Sequence, residues 1–188
     1  TITVTRTPDS KTAQVAVSQL AGGTVATTWN LVEKAEDVTA GEYVITFVHS
    51  EIPDKYLYMP SETAATSNPK TGEGITVSNS QITSTVSADM TWTFSGDNST
   101  GFTITHVAAG TTYRLASANK AQGISIVTTS NNTTWKVSND TTYGVLLKGS
   151  DSGSRYLATY NNNGTTSWRY YIKGTDYKGK LYLFKKTN

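Results

Sequence analysis

The sequence predicts an all-β chain, and three observations carry that expectation. Charged residues are only 16% of the 188 residues, and Thr, Ser, Asn and Gly take their place. Such a mixture suits short strands joined by polar turns better than it suits helices. Apolar and polar residues alternate with period two through most of the chain. A four-strand unit also recurs from Trp29 to the end, and a recurrence of that kind organises a fold.

In chain order, Ile2-Val4-Arg6 and Val15-Val17 read as strands around a turn at Pro8-Asp9-Ser10,. Residues 1–19 are therefore expected to form a hairpin, and residues 20–27, with Gly22-Gly23, a connector. The first repeat runs through Trp29–Val32, Gly41–Ile45, Tyr56–Tyr58 and Ile75–Ser78. The second runs through Trp92–Ser95, Gly101–Ile104, Tyr113–Ala116 and Ile124–Val127. The third runs through Trp135–Ser138, Gly144–Leu147, Tyr156–Ala158 and Trp168–Tyr171. From Trp to the Gly of the next strand the gaps are 12, 9 and 9 residues, and from that Gly to the following Leu 16, 14 and 13. So little drift sets the repeats apart from chance matches in a Thr-rich chain, and variable loops absorb the rest. Residues 61–73 read as a long loop. Val32–Asp37 is too short to count as a helix.

A last strand, Leu181–Phe184, makes thirteen candidates. Three groups of four form a β-trefoil-like plan with an N-terminal hairpin extension. Leu181–Phe184 and Trp29–Val32 then compete for one place, and one of them is spare. A β-sandwich is the alternative, since it also uses many short, evenly spaced strands. The domain boundary is expected between residues 28 and 29, giving a hairpin or linker over 1–28 and a binding module over 29–188.

With no Cys in the chain, disulfides, thiolate metal sites and cysteine nucleophiles are excluded. A net charge of +2 is too small to indicate nucleic acid, although nine Lys/Arg against three Asp/Glu crowd residues 134–188,. No apolar run reaches the length of a membrane span, so neither membrane insertion nor a nucleic-acid partner is expected. His49 and His106 sit at similar places in their repeats, lack a clustered carboxylate, and are read as strand-end residues rather than metal ligands. The carboxylates are scattered, and no nucleophile elbow, phosphate loop or metalloprotease helix is present. Neither a cofactor nor a catalytic activity is expected.

The aromatic residues point elsewhere. Trp29, Trp92 and Trp135 recur in register, as core residues do. Trp168 follows the polar stretch Asn161–Thr166, and alternation places Trp168, Tyr170 and Ile172 on one strand face and Arg169, Tyr171 and Lys173 on the other,. A ring beside amide and guanidinium groups can stack on a pyranose and bond its hydroxyls. The candidate ligand-binding residues are Asp151, Arg155, Tyr160, Asn162, Trp168, Arg169 and Tyr171. The same Tyr, Ser, Asn and Gly surface chemistry serves protein contacts. The Asn-x-Ser/Thr triplets at Asn98, Asn131, Asn132, Asn139 and Asn163 carry no functional weight in a chain this rich in Asn and Thr.

The strands Gly41–Ile45 with Lys55-Tyr56-Leu57, Gly101–Ile104 with Tyr113-Arg114-Leu115, and Gly144–Leu147 with Arg155-Tyr156-Leu157 resemble the repeats of ricin-type β-trefoil domains. The tail from Ser154 to Lys186 is similar to the ends of secreted multidomain proteins from gut-dwelling anaerobic bacteria. The resemblance implies a lectin-like, exported, non-catalytic module. The chain departs from the ricin-type pattern in lacking the Gln-x-Trp signature, where Met90-Thr91-Trp92 and Thr133-Thr134-Trp135 stand, so a three-site galactose mechanism is not carried over. The chain opens at Thr1 inside a strand-like segment and is expected to be a piece of a longer secreted or cell-surface bacterial protein. The expected function is carbohydrate binding, with a glycan or polysaccharide as partner. The alternatives are a protein-interaction or adhesin module that binds a host or bacterial surface protein, a structural spacer, and a hydrolase with two of the scattered carboxylates.

Overall fold

The computed structural model describes residues 26–61, 67–117, 123–129, 132–150, 153–174 and 176–188. The strands are β1 (Thr28–Val32), β2 (Gly41–His49), β3 (Tyr56–Tyr58), β4 (Gly72–Ile75), β5 (Val77–Ser78), β6 (Gln81–Ile82), β7 (Thr91–Asp97) and β8 (Gly101–Ala108). They continue with β9 (Thr111–Ser117), β10 (Ile124–Val127), β11 (Thr134–Asp140), β12 (Gly144–Gly149), β13 (Arg155–Asn162), β14 (Thr165–Ile172) and β15 (Gly179–Thr187). Two single 3-10 turns, Ala35–Asp37 and Ala88–Met90, are the helical elements among the described residues. The hairpin expected over residues 1–19 lies outside the described residues. The boundary expected after residue 28 falls inside β1.

Six strands form a closed barrel. β2, β7, β8, β11 and β12 pair antiparallel in that order. β15 closes the ring, antiparallel to β2 along most of its length and touching β12 where Gly144 and Val145 meet Leu181. Closure removes the open edges that two facing sheets would leave, so the sandwich alternative does not describe this chain. Each of β2, β8 and β12 runs on into an outer hairpin: β3–β4, β9–β10 and β13–β14. The chain then re-enters the barrel through β7, β11 and β15 in turn.

This order decides the contest between the two spare strands. Leu181 faces Val145 at the barrel seam as Trp135 faces Phe102 and Trp92 faces Tyr43. β15 thus holds the barrel position, and β1 is the extra strand, paired to the outer side of β15 from Thr28↔Thr187 to Val32↔Leu183. Trp29 is therefore not the partner of Trp92 and Trp135 in the repeat. It packs in a separate cluster with Val44, Ile75, Ile82 and Phe184. The three gaps measured from Trp obscured this. The spacing that does hold is Asp-x-x-x-Gly, found at Asp37–Gly41, Asp97–Gly101 and Asp140–Gly144. In two copies the reason is visible. Asp97 accepts the Ser99 and Thr100 N–H groups at 2.8 Å each, and Asp140 those of Thr142 and Tyr143 at 2.9 and 3.1 Å. The carboxylate shapes the turn between neighbouring barrel strands. The Ser99 hydroxyl, then the Thr100 N–H and hydroxyl, hold the Asp97 carboxyl at about 2,. Gly101 ends its turn at φ +99°, and a Cβ there would lie 2.3 Å from Thr134 Cγ2.

The barrel interior is filled by the period-two residues of these strands, among them Ile45, Phe47, Phe102, Ile104, Leu147 and Leu183, all fully buried. The Leu that follows the Tyr in the first strand of each outer hairpin (Leu57, Leu115 and Leu157) is buried as well. The two barrel tryptophans are tied to the outer hairpins through their indole N–H groups, Trp92 to the Met59 carbonyl and Trp135 to the Leu115 carbonyl, both at 2.9 Å. Each ring thus adds a satisfied polar end to a large apolar burial.

Replacing Trp135 with Ala should lower the unfolding free energy by about 3–5 kcal/mol, read from urea titration. Gly101→Ala should cost about 1–3 kcal/mol, because it combines a left-handed backbone with a clash on Thr134.

Candidate functional site

A cleft of about 520 Å³ opens where the end of β2, the β13–β14 hairpin and the segment before β15 come together. The hairpin has a local cause. Asn163-Gly164 joins β13 to β14 as a two-residue turn with φ +50° and +88°, the type I′ geometry that Asn-Gly favours,. The stretch Asn161–Thr166, which reads as a polar loop, is therefore two paired strand ends and a tight turn. Residues 67–71 brace the hairpin: the Trp168 N–H donates to the Pro69 carbonyl at 2.8 Å and the Thr71 N–H to that of Thr166 at 3.3 Å. Asn68 in turn clamps Ile124, donating its N–H to the Ile124 carbonyl and accepting the Ile124 N–H on Oδ1.

Alternation along β14 turns Trp168 and Tyr170 into the core, both fully buried. Trp168 is spent there: it packs edge-on against Phe47 and donates its indole N–H to the Tyr58 carbonyl at 3.1 Å. It offers no face to a ligand, which corrects the expectation that placed it among the binding residues. Ile172, expected on the same buried face, is 55% exposed because β14 ends there.

Three of the expected residues do meet at the cleft: Tyr160, Arg169 and Tyr171. Tyr160 is the exposed ring, 43% accessible. It lies diagonally across the strand pair from Arg169, a placement within reach of long side chains,. The Arg169 guanidinium sits over the Tyr160 ring, 5.8 Å from its centroid,. Tyr171 is nearly buried, and that burial pushes its phenol up while the Arg169 charge pulls it down. Asn162 is exposed at the hairpin end, and the amide that reaches the cleft belongs to its neighbour Asn161. Arg155 begins β13, five residues and about 16 Å along the strand from Tyr160,, and does not line the cleft. Asp151 lies outside the described residues.

The opposite wall was not expected. Glu51 is doubly held: Oε1 accepts from Lys178 at 2.9 Å and Oε2 from the Asn161 amide at 3.1 Å. These contacts keep its carboxyl below the usual range, and they raise Lys178. The Glu51 N–H donates to His49 Nδ1 at 3.2 Å, so the neutral imidazole carries its proton on Nε2,. His49 is buried, and desolvation holds it below the ordinary histidine value; Glu51 pulls the other way and Lys178 adds to the lowering. Asp176 and Thr159 also line the cleft. Thr159, opposite Trp168 in the strand register, faces the core at 1% exposure, and among the described residues its hydroxyl, like those of Ser117 and Tyr177, has no hydrogen-bond partner,. Sequence reading missed this wall because His49, Glu51, Asp176 and Lys178 come together only when β15 closes against β2. His106, by contrast, lies within β8 opposite Tyr113 and against the Trp92 ring.

A second cleft, of about 560 Å³, lies beside Trp29. There Lys186 and Glu42 satisfy each other and Trp29 is only 9% exposed, so neither a free ring nor a free charge of that pair is offered.

No protein-family model, no curated protein and no solved structure matches this chain.

His49 has a pH consequence. As pH falls below about 6.5, the unfolded chain takes up a proton on this residue before the folded one does. Stability should therefore decline from that value down to the lowered folded pKa and then level off as far as His49 is concerned. Urea unfolding between pH 7.5 and pH 5 should show the decline, and His49→Asn, which keeps an acceptor for the Glu51 N–H, should flatten it.

Proposed function

We propose that the chain is a non-catalytic carbohydrate-binding module, built as a β-trefoil from the three strand groups between β2 and β15. The observation that carries this reading is the Tyr160 ring, exposed at the rim of a polar cleft with the Arg169 guanidinium beside it. A pyranose has an apolar face for such a ring and hydroxyls for planar donors and acceptors. The cleft volume falls in the range of small-molecule sites,.

A binding role also agrees with the state of Glu51. Its carboxylate is ionised and both oxygens are bonded, so it has no proton to give to a leaving group, as a glycosidase acid must. Single-site affinity is expected to be modest, with linkage to other modules raising it by avidity. Glycan recognition of this kind suits a secreted or cell-surface bacterial protein.

The test is a glycan array and polysaccharide affinity gels on the purified chain, beside Tyr160→Ala and Arg169→Ala. Both variants leave the core untouched and should keep the circular dichroism spectrum. Binding to at least one glycan, weakened about tenfold or more in each variant, is the expected result. Absence of binding to every glycan would overturn the reading and leave the adhesin module as the better account.

A further inference from the structure

Internal bonds occupy several of the polar groups that line the cleft. Both Glu51 oxygens are occupied by Lys178 and Asn161, and His49 Nδ1 is occupied by the Glu51 N–H. The acceptor left with charge is the Asp176 carboxylate, which forms no ion pair with Arg169. On the donor side stand His49 Nε2–H and Arg169. Among the described residues Arg169 has no carboxylate within ion-pair distance. The Tyr160 ring lies beside it, with the guanidinium carbon 5.8 Å from the ring centroid,.

We propose that the cleft selects a sugar bearing a carboxylate, with Arg169 as the residue that receives it. The inference rests on the carbohydrate-binding reading. A planar carboxylate matches the guanidinium fork and accepts two parallel N–H bonds. Tyr160 takes the apolar face of the ring, and Asp176 accepts from sugar hydroxyls. The Glu51–Lys178 pair is internally neutralised and sets the opposite wall. A neutral sugar can occupy the same space, but it leaves the guanidinium without an anion.

The experiment is titration calorimetry of the purified chain with uronate and sialate oligosaccharides, each beside its carboxyl-reduced neutral counterpart and a sulfated oligosaccharide of equal length. The acid form should bind about tenfold or more tightly than its reduced counterpart, and more tightly than the sulfated one. Arg169→Gln should erase that difference, and Arg169→Lys, which keeps the charge without the fork, should restore only part of it. Equal affinity for acid and reduced forms would overturn the proposal and leave the carbohydrate reading standing. Sulfated ligands binding as tightly as carboxylates would also overturn it, because the site would then read charge alone. Failure of every glycan, acidic or neutral, would remove both.

Discussion

Closure of the six-strand ring by β15 is the constraint on which the other features depend. A ribbon of five antiparallel strands from β2 to β12 would expose two edges and half of its apolar side chains. Leu181, Leu183 and Phe184, all buried, convert it to a barrel by pairing β15 along β2 and touching β12 at its mouth. The same step draws Lys178 onto Glu51 and the Ser50 N–H onto the Lys178 carbonyl. The cleft is thus assembled by the pairing that completes the core. A change that loosens the end of β15 acts on fold and site together.

The site itself combines a rigid part with an unsatisfied one. The β13–β14 hairpin is paired along its full length from Arg155↔Ile172 to Asn162↔Thr165 and is anchored from beneath by Trp168. It presents Tyr160 and Arg169 from a fixed platform, which lowers the entropy that binding must overcome. The Arg169 guanidinium on that platform has no carboxylate within ion-pair distance among the described residues. In the cleft beside Trp29, by contrast, Lys186 and Glu42 pair with each other.

Much of the fold was legible because its determinants are local. The candidate strands from Trp29–Val32 to Leu181–Phe184 all fall on strands of the structure, with Ile75–Ser78 straddling the end of β4 and β5. Period-two alternation and Gly-bounded turns need no distant partner to be recognised. The phase of the repeat was harder. Trp29 imitates Trp92 and Trp135 in sequence, yet a tryptophan that packs outside the barrel and one that packs inside satisfy the same local pattern. The Asp-x-x-x-Gly spacing was the better marker, since two of its copies form the turns between paired barrel strands and the third leads into β2.

What the sequence by itself determined was the all-β class, the positions of most of the described strands (not β6, nor the start of β4 inside the loop expected over residues 61–73), the recurrence of the strand unit, and three of the residues that line the cleft, Tyr160, Arg169 and Tyr171. These share one hairpin, and alternation within a hairpin is set by its own residues. Only the tertiary structure decided that Leu181–Phe184, not Trp29–Val32, closes the barrel, that Trp168 is core, and that His49, Glu51, Asp176 and Lys178 face the hairpin. Those outcomes depend on contacts between segments more than a hundred residues apart, such as Glu51 with Asn161 and Lys178. No local pattern encodes such contacts, because they arise when buried apolar area is maximised over the whole chain.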